Sequence, residues 1–170
     1  MIVVMGIKHS GKTSLGKILA EQLNVPFLDL DTLLEEQYSI DRKLNFREIY
    51  LSLGESGFKE LETSAIKNTN IHKEGVLALG GGTIDNPDAI KIAEEADILI
   101  FLDVEEKILF QRIKRNGFPP FLEKSPEKLF HELFKRRRIL YKDIASITLK
   151  ITEESPEELL NILIKKIEAN

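Results

Sequence analysis

Met1-Ile-Val-Val-Met5 followed by Gly6-Ile7-Lys8-His9-Ser10-Gly11-Lys12-Thr13-Ser14 is the stretch whose reading decides the fold. The opening apolar run reads as a buried strand. Gly6 to Thr13 then fits G-x-x-x-x-G-K-[ST], a loop that cradles phosphates. Beyond Lys12, apolar side chains recur at helical spacing at Leu15, Ile18, Leu19 and Leu23. A chance match in an ordinary strand–turn–helix is the competing reading. Here the motif has both flanks that the chemistry requires, a strand before it and a helix N-terminus after it.

The loop has a definite physical purpose. Gly6 and Gly11 can take φ > 0, which lets the backbone curl and aim successive N–H groups at one point. A helix starting near Lys12 adds unpaired N–H groups and the positive end of its dipole, and both favour a polyanion. Lys12 brings a point charge for the β- and γ-phosphates, and the Thr13 hydroxyl is a hard oxygen ligand for Mg²⁺. Gly6, His9, Ser10, Gly11, Lys12, Thr13 and Ser14 are therefore the candidate nucleotide-binding residues, and a nucleoside triphosphate with Mg²⁺ is the expected ligand pair.

Composition narrows the class. At 170 residues one domain spanning 1–170 is expected, with a sizeable core. A hydrophobic fraction of 42% beside 31% charged residues is that of a soluble globular protein. The net charge of -4 argues against a nucleic-acid partner, which would require a basic balance or stripe. Cysteine is absent, which fits a reducing compartment and rules out a disulfide framework or a thiolate metal site. The N-terminal apolar run is too short for a signal-peptide core or a membrane span. A cytoplasmic monomer without a membrane partner is expected.

Further strands are expected over 25–28, 75–79, 97–102 and 147–151, and helices over 32–38, 45–51, 54–62, 86–93, 105–115, 125–144 and from Ser155 onward. The run at 97–102 is nearly all apolar, as a parallel strand covered on both faces should be. Ser125-Pro126 has the Ser N-cap and Pro N1 pattern, and Ser155-Pro-Glu-Glu158 is a capping box. Alternating strands and helices predict an α/β protein with three layers, α/β/α, around a five-stranded parallel sheet. Ligands should then lie beyond the carboxyl ends of the strands.

Three motifs fall at those ends: the glycine-bounded loop, Asp29-Leu30-Asp31, and Gly80-Gly81-Gly82. Phosphoryl transfer to an alcohol profits from a carboxylate at the attacking hydroxyl, and in an extended segment Asp29 and Asp31 would point to the same side. One could serve the metal through water and the other the acceptor; alternatively, Asp31 N-caps the helix starting at Thr32. The triple glycine is either a place where backbone approaches something closely or a flexible turn. In Lys135-Arg136-Arg137-Arg138, helical fanning lets one or two side chains enter a site, where an arginine suits an acidic acceptor. His9, His72 and His131 lack metal-ligand spacing.

Taken in order, Gly6-x4-Gly-Lys-Thr13, Asp29-Leu-Asp31, Phe58-Lys-x-x-Glu62, Gly80-Gly-Gly82, Arg137 ahead of Leu140-Tyr141, and Ser155-Pro-Glu-Glu158 resemble the shikimate kinase family across essentially the whole chain. The resemblance implies the nucleoside monophosphate kinase-like P-loop fold and transfer of the ATP γ-phosphoryl group to the 3-hydroxyl of shikimate. It implies that Asp31 contacts the reacting hydroxyl and, with Lys12, forms the catalytic pair. It sets Asp29 on the metal side with Thr13, the metal reached through water. Lys59, Phe58, Gly80, Gly81, Gly82 and Arg137 join Asp31 as acceptor-binding residues, with Arg137 pairing the acceptor carboxylate and Tyr50 beside Phe58 in the pocket wall. Arg112 matches an arginine near the adenine.

The sequence departs from the family pattern at three places. Lys59 stands where the family has arginine, keeping charge but losing the planar fork. The lid motif R-P-L-L reads Pro119-Pro120-Phe121-Leu122, without its arginine, and His9 replaces a small residue. A mobile lid is expected over 116–124, with an acceptor-binding segment over 32–62. Two other readings stay open: a kinase of the same fold acting on another small acceptor, such as gluconate or a nucleoside monophosphate, and an ATP-binding module with little transfer activity.

Overall fold

The computed structural model describes residues 1–38, 44, 46–117 and 125–170. Of the segment expected as a lid, all but Asn116 and Gly117 lies outside the described residues. Among the described residues, β1 (Ile2–Met5), β2 (Phe27–Asp29), β3 (Val76–Ala78), β4 (Ile98–Val104) and β5 (Ile147–Ile151) form one parallel sheet in the order β2-β3-β1-β4-β5. Ile2 pairs in register with Val76 on one side and Ile98 on the other. The central strand is thus the one that feeds the phosphate loop. Its neighbours run to opposite edges, which makes its carboxyl end the switch point where α/β sheets open a crevice.

Helices α1 (Lys12–Leu23), α2 (Leu30–Tyr38), α3 (Phe46–Asn68), α4 (Pro87–Ala93), α5 (Glu106–Asn116), α6 (Pro126–Ile144) and α7 (Pro156–Glu168) complete the three-layer α/β/α arrangement. Val3, Val4, Leu77, Ile100 and Phe101 are buried, and Phe101 stacks on Tyr141 of α6 at 5.1 Å. The α7 capping box forms as its sequence dictates, with Ser155 Oγ accepting from Glu158 N–H and the Glu158 carboxylate accepting from Ser155 N–H. Leu159 and Leu163 of the same helix are buried.

Element boundaries differ where a local rule is overridden. α2 begins at Leu30 rather than 32, because the Asp29 carboxylate accepts the N–H groups of Asp31 and Thr32. Asp29 is therefore the cap, not Asp31. Gly54, non-helical at φ 67°, ψ -177°, separates the two helices expected over 45–62, and the second runs on to Asn68. β4 continues through Asp103 because two cations neutralise that carboxylate. A 3₁₀ turn, Thr83–Asp85, intervenes between the triple glycine and α4. Ser125 precedes α6 without a side-chain cap bond.

Candidate active site

The phosphate loop is set by backbone conformation and close packing. Gly11 sits at φ 96° ahead of α1, where a Cβ would be strained. A Cβ on Gly6 would stand 2.7 Å from Ser10 Oγ. His9 also takes a left-handed φ of 66°, a conformation that histidine adopts more readily than most side chains. Burial, then Lys8, Lys12 and Arg112, lower its pKa. Arg112 Nη1 donates to the His9 carbonyl at 3.0 Å, so this arginine braces the loop from α5. Ser10 is buried, with no hydrogen-bond partner for its hydroxyl among the described residues, and Ser14 is exposed on α1.

Lys12 is buried, and its ammonium donates to the Ile7 carbonyl at 3.2 Å. Burial pushes its pKa down to about 8, against the pull of Asp31 and Asp29. Thr13 Oγ1 donates to Asp29 Oδ2 at 2.7 Å. Two hard oxygens thus converge beside the loop, a donor set that fits Mg²⁺ shared with substrate phosphates and water. Among the described residues, no group of three His, Cys, Asp or Glu side chains could form an all-protein cage.

Asp29 and Asp31 do not share one extended strand. Asp29 ends β2 and Asp31 lies in the first turn of α2. They nonetheless flank the same space, because the tight start of α2 turns Asp31 toward the glycine turn. A Cβ on Gly80 would meet Asp31 Oδ1 at 2.9 Å. Burial, and then the Asp29 charge, raise the Asp31 pKa against the opposing pull of Lys12.

The triple glycine is a close approach, not a loose hinge. A Cβ on Gly81 would lie 2.8 Å from the Lys8 nitrogen and 2.9 Å from its Cα. The Gly81 carbonyl accepts from Arg137 Nη1 at 2.9 Å and from the Tyr141 hydroxyl at 3.3 Å, and that hydroxyl also lies 3.2 Å from the Gly6 carbonyl. One turn of α6 therefore fastens the phosphate loop to the glycine turn.

Of the basic run, Arg137 alone reaches Gly81. The rotation of α6 is set by its neighbour: Arg138 donates through Nε and Nη2 to the two oxygens of buried Asp103, at 2.6 and 2.8 Å. Burial alone would raise the Asp103 pKa, but Arg138 and Lys142 outweigh it and hold the carboxyl low. Arg137 itself donates to Asp85 Oδ2 through Nε at 3.0 Å and Nη2 at 2.7 Å. Lys59 is half-buried and pairs with Glu55 at 2.7 Å, one helical turn away. Phe58 is buried against Tyr50, ring centroids 5.4 Å apart.

Sequence reasoning missed the polar core behind these residues. Glu62 is buried and accepts from Thr83 Oγ1 at 2.6 Å and Asn86 Nδ2 at 2.9 Å. Burial raises its pKa, the two hydrogen bonds opposing. Asn86 also donates to the Lys59 carbonyl and caps α4 at Ala89 N–H. The available signal was Asn86-Pro87, read only as a helix start. Asp85 was missed outright, although an acid following the glycine turn is a natural partner for an arginine run. His72 and His131, which lack metal-ligand spacing, pair with Glu95 and Glu106 at the surface.

A central parallel strand, a glycine-bounded loop on a helix N-terminus, a buried lysine and an aspartate facing the glycine turn define a P-loop kinase for small molecules. The shikimate kinase family model matches residues 8–168. A shikimate kinase from Streptomyces coelicolor is 32% identical over 169 residues, covering 99% of this chain and 95% of that protein. The structure of a shikimate kinase from Acinetobacter baumannii in complex with shikimate superposes with a TM-score of 0.87 at 29% identity, covering 99% of this chain and 93% of that one. A gluconokinase from Sinorhizobium meliloti shares the fold at 18% identity and a TM-score of 0.58. The chain belongs to the shikimate kinase family.

Proposed function

We propose that this protein transfers the γ-phosphoryl group of ATP to the 3-hydroxyl of shikimate, giving shikimate 3-phosphate and ADP. The observation that carries the proposal is Gly81. Its carbonyl holds Arg137, the cation suited to an acceptor carboxylate, while Lys8 of the phosphate loop occupies the space that a Cβ there would need. The acceptor side and the phosphate side are thereby one joined surface. The gluconokinase likeness supports the fold alone, and the family match favours shikimate among acidic acceptors.

The roles follow from the chemistry. Lys12 and the N–H groups at the start of α1 hold the phosphates and stabilise the charge that builds on them during transfer. Thr13 would ligate Mg²⁺ directly and Asp29 through water; when bound, the ion neutralises charge on the β- and γ-phosphate oxygens. Asp31 orients the acceptor hydroxyl and takes its proton as the new O–P bond forms and the bond to the ADP oxygen breaks. Arg137 receives the acceptor carboxylate, with Phe58 and Tyr50 as the apolar wall. Arg112 sets the loop and the adenine side, and Lys59 adds positive charge at the rim.

Among the described residues no helix is long and apolar enough to cross a membrane. Family membership supports a cytoplasmic kinase, read here as a monomer, and the net charge of -4 argues against a nucleic-acid partner. A coupled ADP-release assay tests the function. Shikimate-dependent turnover is expected, with gluconate and nucleoside monophosphates far poorer. A folded enzyme that prefers either of those acceptors, or binds ATP without turnover on any, would refute it.

A further inference from the structure

We propose that Asp85 is a positioning residue for acceptor recognition: it fills the side edge of the Arg137 guanidinium and leaves the head edge to the acceptor's carboxylate. This rests on the acidic-acceptor reading above and deepens it. A guanidinium has two edges that can take a carboxylate, Nε with Nη2 and Nη1 with Nη2. Asp85 Oδ2 takes the first edge, at 3.0 and 2.7 Å. The Gly81 carbonyl takes one Nη1 hydrogen at 2.9 Å, which fixes the plane. One hydrogen on each terminal nitrogen is then left for a ligand.

Two features separate this arrangement from a salt bridge made for stability. Both bonds from Arg137 to Asp85 fall on one oxygen, while Asp85 Oδ1 is buried with no hydrogen-bond partner among the described residues. A pair built for stability would use both oxygens, as Arg138 and Asp103 do one residue further on. The charge balance also favours an incoming anion. Arg136 Nη2 reaches the same Oδ2 at 3.0 Å, so two arginines share one carboxylate and the group keeps a net positive charge. Asp85 therefore aims Arg137 without cancelling it.

The test is steady-state kinetics on the full-length enzyme with Asp85→Ala and Asp85→Glu, using shikimate and its methyl ester, which lacks the carboxylate charge. Asp85→Ala is expected to raise KM for shikimate about tenfold, with kcat changed less than about twofold, the size expected for losing a charge-assisted hydrogen bond that acts in binding. KM for ATP and turnover on the ester should stay as in the wild type, and Asp85→Glu should recover part of the loss. Stabilisation of each variant by ATP-Mg²⁺ verifies folding. An unchanged or lowered KM in a folded Asp85→Ala variant overturns the assignment, as does an equal loss on acid and ester. Wild-type enzyme inactive on shikimate overturns the acceptor reading, and the Asp85 role with it.

Discussion

Lys12 carries its charge where burial resists it, and Asp31 does the same with the opposite sign. The Lys12 pKa falls to about 8 by burial, while burial and then the Asp29 charge raise that of Asp31. The proposed mechanism requires Lys12 charged and Asp31 ionised. As pH rises, Asp31 becomes a competent base later than an ordinary aspartate would, and free enzyme loses the Lys12 proton through about pH 8. A bell-shaped dependence of kcat/KM follows, with its alkaline limb near pH 8, and ATP affinity weakens along that limb. A pH–rate profile against both substrates checks this; a flat response from pH 7 to pH 10 (roughly the Lys12 window) would contradict it. Asp31→Asn should cut kcat by roughly 10²–10⁴-fold and abolish the acidic limb, with ATP affinity held within about twofold. Loss of ATP binding in that variant would mean that the carboxylate serves the nucleotide.

At the scale of elements, α3, which carries the proposed acceptor wall, is tied to the segment after the glycine turn by Asn86, which caps α4, holds the Lys59 carbonyl and donates to Glu62. Asn86→Ala should destabilise by about 2–3 kcal/mol, combining a lost cap with a buried carboxylate left short of a donor. Asn86→Asp keeps a capping oxygen but sets a second acid beside Glu62. It should be worse than alanine at pH 8 and partly relieved at pH 5, which denaturant titrations at the two pH values would reveal. Much of this level was legible beforehand. The five-stranded parallel sheet, the phosphate loop and Ser155 as a capping box followed from local pattern, whereas Arg137 was singled out from its basic run by the family resemblance. What escaped was long-range polar pairing. Asp85 with Arg137 spans 52 residues and Thr83 with Glu62 spans 21, so nothing in the local pattern announces either. The Asp103 charge likewise hid the end of β4, because its neutralising cations come from α6.

Across the whole molecule, binding energy is drawn from residues that the empty fold would be better without. Lys12 shows this most clearly. Its charged form is disfavoured in the folded protein, whose pKa of about 8 lies below the ordinary 10.5. Between those values the unfolded chain holds more protons than the folded one, so stability should rise with pH across that window. Lys12→Met keeps the apolar stem, removes the buried charge and should raise the melting temperature of the unliganded protein, a gain in stability set against function. The same substitution should erase the stabilisation by ATP-Mg²⁺. In the wild type that stabilisation amounts to about 2.7 kcal/mol at a hundredfold excess over Kd, or roughly 5–10 °C for a chain of this size. Thermal melts of both proteins at pH 7 and pH 9.5, with and without ATP-Mg²⁺, read all three effects. The wild type should gain stability at the higher pH relative to the variant, and only the wild type should respond to nucleotide. A variant that melts lower than the wild type without ligand would show that Asp29, Asp31 and the Ile7 carbonyl compensate the buried ammonium in full.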